Sequence, residues 1–308
     1  MPHSWQMRDC VGPPWSVQMG LTEGCNRLCS FCGLNAIRDK PGKYLFMDDE
    51  TMELIAQGLN RLCPTSRIEI AMHGEPTMHP RYLHLIERLR RRVPKAQMMV
   101  TTNGVRYLRG RMAAELPRIF EAGLDFLMLD TYRDVRDELM SQVGALPDHG
   151  ITVRDYYDCI RDKVPLYGRN GLKRTVVIVD DISERSGEHS SRVLTNHGGN
   201  SPSKPRLREP LKLTCTQPFR ELIIAHNGDV LICCDDWKHE QVMGNVHSRS
   251  LFSIWHGERF DAVRAMLSVK DRRMVPCNVC DRRAGPRVGI LPKYSPPTAE
   301  QRRLLGLE

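Results

Sequence analysis

Cys25, Cys29 and Cys32 fall within the run Cys-Asn-Arg-Leu-Cys-Ser-Phe-Cys. The C-x3-C-x2-C spacing sets three thiolates on one short loop, enough to ligate three irons of a [4Fe–4S] cluster. Such clusters are normally held by four cysteines, so a three-cysteine loop leaves one iron open. An open metal position is where a metal site does chemistry rather than only hold structure. A zinc knuckle or three buried structural thiols would fit the same loop. A second set lies further along: Cys215, Cys233, Cys277 and Cys280. The run Gly228-Asp-Val-Leu-Ile-Cys233 reads as a hairpin-like turn into a strand that ends on a thiolate. Cys277-Asn-Val-Cys280 has the spacing that lets two sulfurs grip one centre. Four thiolates can fully ligate a second cluster, and a zinc ion on the same four fits the spacing as well.

Of the eleven cysteines, Cys10, Cys63, Cys159 and Cys234 remain. Free cysteine usually behaves as a small buried apolar residue. Cys234 adjoins a candidate ligand and Cys159 follows Tyr156 and Tyr157, so these two are candidate catalytic hydrogen-atom donors. Three further runs carry polar groups at strand ends: His73-Gly74-Glu75-Pro76, Thr101-Thr102-Asn103-Gly104 and Leu127-Met128-Leu129-Asp130. Taken singly, Gly-Glu-Pro is often a turn, Thr-Asn-Gly a common strand-to-helix loop, and an aspartate ending a strand a helix cap.

Alternating elements must position these residues. A first strand over 16–22 runs into the cysteine loop. Asp48 and Asp49 offer an N-cap to a helix on which Met52, Ile55, Leu59 and Leu62 recur at helical spacing. A strand over 67–71 ends at His73. Pro80 suits the first turn of the next helix, which Tyr82, Leu85, Ile86, Leu89 and Val93 make amphipathic. Strands over 97–101 and 125–130, with a helix over 111–122 between them, are followed by strand candidates at 173–180 and 192–196. Strands alternating with helices indicate parallel βα units, whose ligand-binding groups gather at the carboxyl ends of the strands. Residues 197–214 read as a linker, 251–267 as helices covering the second cysteine set, and the proline-rich tail as partly extended.

The chain has 308 residues and a net charge of +8. No stretch approaches the roughly 18 apolar residues that span a bilayer, and the start lacks an apolar signal region. A cytoplasmic location is expected, where thiols stay reduced. Arginines crowd the end of the helix at Arg88–Arg92, and such runs are usually solvated faces that complement the helix dipole. A basic surface can also attract an acidic electron donor or nucleic acid, and weakly favours an anionic substrate.

In this order the motifs resemble the radical S-adenosylmethionine (SAM) superfamily, over residues 16–283. The resemblance implies an α/β fold: a partial (β/α)6 TIM-like barrel with a small C-terminal iron–sulfur domain of the SPASM/twitch kind. In that family the open iron of the [4Fe–4S] cluster chelates SAM, and one electron cleaves it into methionine and a 5′-deoxyadenosyl radical. Cys25, Cys29 and Cys32 would hold that cluster. Cys215, Cys233, Cys277 and Cys280, whose separations resemble those of 2-deoxy-scyllo-inosamine dehydrogenases, would hold one auxiliary [4Fe–4S] cluster. His73, Gly74 and Glu75 match the family's Gly-Gly-Glu-Pro, which presents oxygens to the SAM ammonium group. Thr101, Thr102 and Asn103 match a run that lies beside SAM, and Phe31 matches the aromatic that borders the adenine. Met128 stands where relatives often have serine, so no polar contact carries over there. The implied division is a core over 1–200, an auxiliary-cluster domain over 201–290 and a tail over 291–308.

The resemblance further implies hydrogen abstraction from a carbohydrate-like small molecule. A closed auxiliary cluster suits an electron sink, which sets dehydrogenation slightly ahead of epimerisation; the latter would use Cys159 or Cys234 as hydrogen donor. The alternatives are radical modification of a peptide or protein, or of a nucleotide or nucleic acid. About fifteen residues before the first strand leave no room for a fused peptide-recognition domain, and no known nucleic-acid-binding module is evident. A flavodoxin- or ferredoxin-type protein would supply electrons. A non-catalytic iron–sulfur or zinc scaffold explains the cysteines but not the ordered strand ends.

Overall fold

The computed structural model describes residues 11–37, 42–146, 152–155, 176–181, 194–283 and 294–307. Cys10 and the candidate hydrogen donor Cys159 lie outside them. Strand β1 (Ser16–Met19) leads through β2 (Thr22–Glu23) into the cysteine loop, and β3 (Leu45–Phe46) returns to pair with β2. Three βα units follow: α1 (Asp49–Leu62), β4 (Arg67–Ile70), α2 (Tyr82–Arg92), β5 (Gln97–Thr102), α3 (Met112–Glu121) and β6 (Phe126–Thr131). The Asp48 carboxylate accepts the Thr51 N–H at 2.8 Å, and Met52, Ile55, Leu59 and Leu62 are buried, so the first helix forms where its cap and period place it. Next come α4 (Arg136–Gly144), β7 (Thr152–Asp155) and β8 (Val176–Asp181).

The C-terminal part adds α5 (Gln217–Arg220), β9 (Glu221–Ile224), β10 (Asp229–Leu231) and β11 (Val242–Asn245). These are followed by α6 (Leu251–Trp255), α7 (Glu258–Ser268) and α8 (Ala299–Leu304). One nine-stranded sheet unites both halves, in the order β11-β10-β9-β1-β4-β5-β6-β8-β7. From β9 to β7 all neighbours are parallel, while β10 and β11 are antiparallel additions. The sheet has two ends rather than a closed ring, the geometry of a partial barrel. Alternation along β1 and β4 sends Val17, Met19, Ile68 and Ile70 into the apolar core and leaves Gln18 and Glu69 facing the interior of the curve.

One expectation needs correction. Residues 194–196 of the strand expected over 192–196 are not extended: Asn196 caps a short 3-10 turn, accepting the Gly199 N–H, and donates to the Pro205 and Val279 carbonyls. The parallel strand beside β8 is instead β7, whose Thr-Val-Arg-Asp is mostly exposed and carries no apolar signal. The tail, expected to be partly extended, has no regular structure over 294–298 and then forms α8, built on a Thr298–Gln301 capping box with Leu305 buried behind it.

Candidate active site

The first cysteine loop is pinned by backbone. Gly24 N–H donates to the His73 carbonyl at 3.2 Å, and Glu75 N–H donates to the Gly24 carbonyl at 2.9 Å. Gly74 lies between them, and a Cβ there would stand 2.2 Å from the Thr22 oxygen and 2.6 Å from the Gly24 oxygen. Glycine is required because two backbones touch. Pro76 then opens a turn that brings Thr77 back to Glu75.

Glu75 is the hub behind this contact. Its buried carboxylate accepts from Thr77 N (3.0 Å), Thr77 Oγ1 (2.6 Å), Thr102 Oγ1 (2.7 Å) and Asn103 N (2.8 Å). Burial raises its pKa above the ordinary value, against the pull of those donors. Asn103 in turn donates to Asn26 Oδ1 at 2.8 Å and to Cys25 Sγ at 3.5 Å. The Gly-Glu-Pro and Thr-Asn-Gly runs therefore converge on the cysteine loop. Thr101 points elsewhere, donating to Glu69 Oε1 at 3.1 Å. Phe31 is half-buried at the end of the loop, and its carbonyl accepts the Ser201 hydroxyl at 2.8 Å.

The His73 side chain turns toward the C-terminal half. Its Nε2 lies 3.1 Å from the Cys234 carbonyl and its Nδ1 3.2 Å from His239 Nε2. Burial pushes its pKa down to about 3, so the ring is neutral. A carbonyl can only accept, so His73 Nε2 carries the proton and Nδ1 accepts from His239 Nε2–H. The ring stacks on Trp237, centroids 4.2 Å apart, and Trp237 stacks on His197 at 5.2 Å. A Cβ on Gly33, next to Cys32, would strike the Trp237 ring at 2.8 Å, and Gly33 N–H donates to His197 Nδ1 at 3.1 Å. One indole thus spans from the first cysteine loop to the segment that follows Cys233.

The second set is gathered in the C-terminal half. Cys215, Cys233 and Cys280 are buried, Cys277 is half-buried, and none is in a disulfide. Burial raises the Cys233 and Cys277 thiols well above the ordinary value, helped next by the Asp235 carboxylate at Cys233 and by the Cys215 and Cys280 sulfurs at Cys277. Cys280 is pushed up to about 12, by burial first. A cationic centre that takes the thiolates relieves this penalty, so the donor set fits metal ligation. Among the described residues no group of three or more His, Cys, Asp or Glu side chains is arranged to hold one metal ion. A four-iron cluster asks no three ligands to converge on a single atom. The first loop fits ligation too, with N–H donors from Arg27 and Asn103 at the Cys25 sulfur.

A cavity of about 460 Å³ lies inside the sheet, with Gln18, Glu69, His73 and Asp130 on the strand side and Cys234, Asp235, Trp237 and Arg282 on the other. Gln18 donates to Glu69 at 3.2 Å. Arg282 is ion-paired through Nε with Asp235, which also accepts from Thr195 Oγ1 at 3.1 Å. Burial opposes the charge of Asp235, but Arg282 holds its pKa below the ordinary value. Cys234 faces this cavity; burial keeps its thiol well above the ordinary value, and Arg282 Nη2 and Gln217 Nε2 lie 3.7 and 3.8 Å from its sulfur. Three acidic side chains against one guanidinium make the lining acidic, opposite in sign to the net charge of +8. The expected preference for an anionic substrate is therefore reversed at the cavity. Asp235 and Arg282, each two positions from a cysteine of the second set, were findable by that adjacency. His197, His239 and Trp237 carry no local signal, because their partners are distant in sequence.

Comparison with known proteins agrees with this geometry. Residues 19–140 match the family model described as the radical SAM superfamily, and residues 215–281 match SPASM, an iron–sulfur cluster-binding domain. All four cysteines of the second set fall inside the latter. The chain is similar to the S-adenosyl-L-methionine-dependent 2-deoxy-scyllo-inosamine dehydrogenase of Niallia circulans, 24% identical over 251 residues, 82% of this chain and 86% of that one. Among solved structures it is similar to BtrN in complex with AdoMet and 2-DOIA, with TM-score 0.61 and 23% identity over 87% of this chain and 93% of that one. It is also similar to Streptococcus suis SuiB bound to precursor peptide SuiA, with TM-score 0.51 and 14% identity over 82% and 67%. These structural likenesses concern the fold.

Proposed function

The chain is a radical SAM enzyme with a SPASM cluster-binding region, and we propose that it oxidises an alcohol carbon of an aminated, carbohydrate-like small molecule to a carbonyl. When bound, SAM at the reduced first cluster supplies a 5′-deoxyadenosyl radical, and the auxiliary [4Fe–4S] cluster supplies a sink for one electron. Cys25, Cys29 and Cys32 hold the first cluster and Cys215, Cys233, Cys277 and Cys280 the second. Gly74, Glu75, Thr102 and Asn103 set the wall against which SAM lies, with Phe31 at the adenine end; His73 and Thr101 act through the partners described above. Cys159 lies outside the described residues.

The observation that carries this reading is the cavity, one wall of which is formed by neighbours of the second cysteine set. Its volume suits a small molecule, and its acidic lining suits an ammonium group. The relative from Niallia circulans is named for an aminocyclitol, which supports the same class. Oxidation also releases a proton. His73 has both ring nitrogens engaged, and His197 Nδ1 already accepts the Gly33 N–H. Asp235 is committed to Arg282 and Thr195. Glu69, which accepts from Gln18 and Thr101 and pairs with Arg67, and Asp130 are the other carboxylates facing the cavity.

Cys234 supports epimerisation as the second reading: burial keeps it a thiol, the form that donates a hydrogen atom. A deuterium experiment separates the two. Oxidation carries substrate deuterium into 5′-deoxyadenosine and gives a carbonyl product. Epimerisation places solvent deuterium on the inverted carbon and is abolished by Cys234→Ala while SAM cleavage persists. A thioether or new carbon–carbon bond in a peptide product would refute both.

We place the seam between core and cluster-binding region near residue 200, with 291–308 as a tail; the two family matches fall on either side of it. No helix among the described residues is long and apolar enough to cross a membrane, in keeping with the cytoplasmic location we assign. A flavodoxin- or ferredoxin-type donor completes the scheme.

A further inference from the structure

Arg264 and Arg272, both in the C-terminal half, are fully buried, and they differ in what surrounds the charge. Arg264 lies on α7. Its guanidinium sits over the Trp255 and Phe260 rings, 4.3 and 4.8 Å from their centroids, and 3.7 Å from Asp261 Oδ1. It donates to the Pro218 and Trp255 carbonyls at 2.9 and 2.8 Å. Arg272 donates from Nε to the Leu213 carbonyl and from Nη1 to the Arg282 carbonyl, both at 2.7 Å. Among the described residues no carboxylate pairs with it; the adjacent Asp271 is turned to Arg273, 2.7 Å away. Its Nη2 is buried with no hydrogen-bond partner among those residues.

The two carbonyls that Arg272 holds flank the second cysteine set. Leu213 lies two positions before Cys215 and Arg282 two positions after Cys280. The Arg282 main-chain N–H also donates to Cys280 Sγ at 3.4 Å. One guanidinium therefore fastens the segment that enters the set to the segment that leaves it. Its planar fork reaches two acceptors in fixed directions at once. An amide NH2 also has two donors and brings no charge. A guanidinium is always protonated, and burying it without an anion is costly. The four thiolates outweigh the positive charge of a [4Fe–4S] core, so the loaded site is the anion that offsets this cost. Burial, then the Cys215 and Cys280 sulfurs, raises the Cys277 thiol, and the Arg272 charge acts in the opposite sense.

We propose that Arg272 is the clasp of the second cluster: it ties the Cys215 and Cys280 segments together and supplies the buried positive charge that the loaded, anionic site balances. The clasp rests on the assignment of a cluster to Cys215, Cys233, Cys277 and Cys280. Arg272 is a positioning residue, acting through two main-chain carbonyls and not as a ligand. Clasp and cluster each stabilise the other, so removing Arg272 weakens retention of this cluster in particular. The charge of Arg264 is already accompanied by Asp261 and two rings, so that residue has no such coupling. The first cluster, bound by other cysteines, serves as an internal reference.

The test is an anaerobic EDTA challenge of the holoenzyme, both clusters reconstituted, with each cluster followed by its EPR signal after reduction. In Arg272→Gln the second-cluster signal should be lost on the order of tenfold faster than in wild type, the scale of one charge-assisted hydrogen bond. The first-cluster signal should decay at the wild-type rate. Arg272→Lys keeps the charge and gives up the fork, so its rate should fall between wild type and Arg272→Gln. Arg264→Gln controls for the loss of a buried arginine as such, and should leave the ratio of the two loss rates unchanged. A second cluster as durable in Arg272→Gln as in wild type would overturn the clasp, as would the same selective loss in Arg264→Gln. Arg272→Lys as labile as Arg272→Gln would overturn the role of the charge. Where the glutamine variant does not fold, a wild-type rate in Arg272→Lys overturns the clasp by itself. A wild-type protein with a normal second-cluster signal confines each of these failures to the clasp, whereas one with no such signal would remove the cluster assignment and the clasp together.

Discussion

Replacing Gly74 by alanine should damage both stability and the first cluster, by an amount the geometry sets. The added Cβ would sit 2.2 Å from the Thr22 oxygen, and side-chain carbons essentially never approach closer than 3.0 Å, so the backbones must part by at least 0.8 Å. The obstructing atoms are main chain, so no side chain can swing away. Parting them strains the Gly24–His73 and Glu75–Gly24 hydrogen bonds, each contributing about 1 kcal/mol. Overpacking adds about 1–3 kcal/mol, giving about 3–5 kcal/mol in all. At roughly 2–4 °C per kcal/mol for a chain of this size, the apoprotein should melt on the order of 10 °C lower. The readouts are thermal unfolding by circular dichroism and iron content after anaerobic reconstitution, which should fall because the displaced segment carries Cys25. Gly12→Ala is the control, since nothing lies within 4 Å of its added carbon. A Gly74→Ala protein with the melting temperature and iron content of the wild type would refute the claim that close backbone approach fixes the loop.

Reconstituted wild type should hold about eight irons, and the Cys25/Cys29/Cys32→Ala variant about four; that variant should also fail to convert SAM to 5′-deoxyadenosine and methionine under a strong reductant. Glu75→Gln should cost about 2 kcal/mol in urea unfolding, because its NH2 would oppose one of the four donors now aimed at the carboxylate. His73 has a folded pKa of about 3, below its unfolded value. The unfolded chain therefore binds the proton first, and the stability present above about pH 6.5 is lost as pH falls toward 3. Between pH 7 and 5 His73 should account for about 2 kcal/mol of that loss, so His73→Gln should show a shallower decline in unfolding free energy over that interval.

The parallel core was legible because Val17, Met19, Ile68, Ile70 and the run 126–129 bury apolar side chains at strand spacing, and because Asp48 caps the first helix. The Gly228 turn was legible too: its positive φ of 82° opens β10, which leads to Cys233. Pairing over long separations was not. β9 joins β1 across some two hundred residues, and no local pattern encodes that. β7 is polar and largely exposed, so burial left no imprint on it. His73 was read as a backbone presenter, yet its side chain binds a carbonyl and a histidine from a segment more than 160 positions away. Net charge misled for a related reason. Arg81, Arg91 and Arg92 lie on the outer surface with exposed side chains, while Glu69, Asp130 and Asp235 come from separate segments that only the fold unites.

The pairing of β1 with β9, from Ser16↔Glu221 to Met19↔Ile224, bears on how this protein can be taken apart. A chain cut near residue 200 would lose β9 and leave one side of β1 with its hydrogen-bonding groups unmet. Val17 and Met19, now fully buried, lie on that strand. An unprotected strand of this kind is a template for joining another chain, so the shortened protein should self-associate rather than persist as a monomeric core. The cluster-binding region is thus no detachable module: a graft from a relative must bring a strand of matching register, or the chimera inherits an adhesive seam.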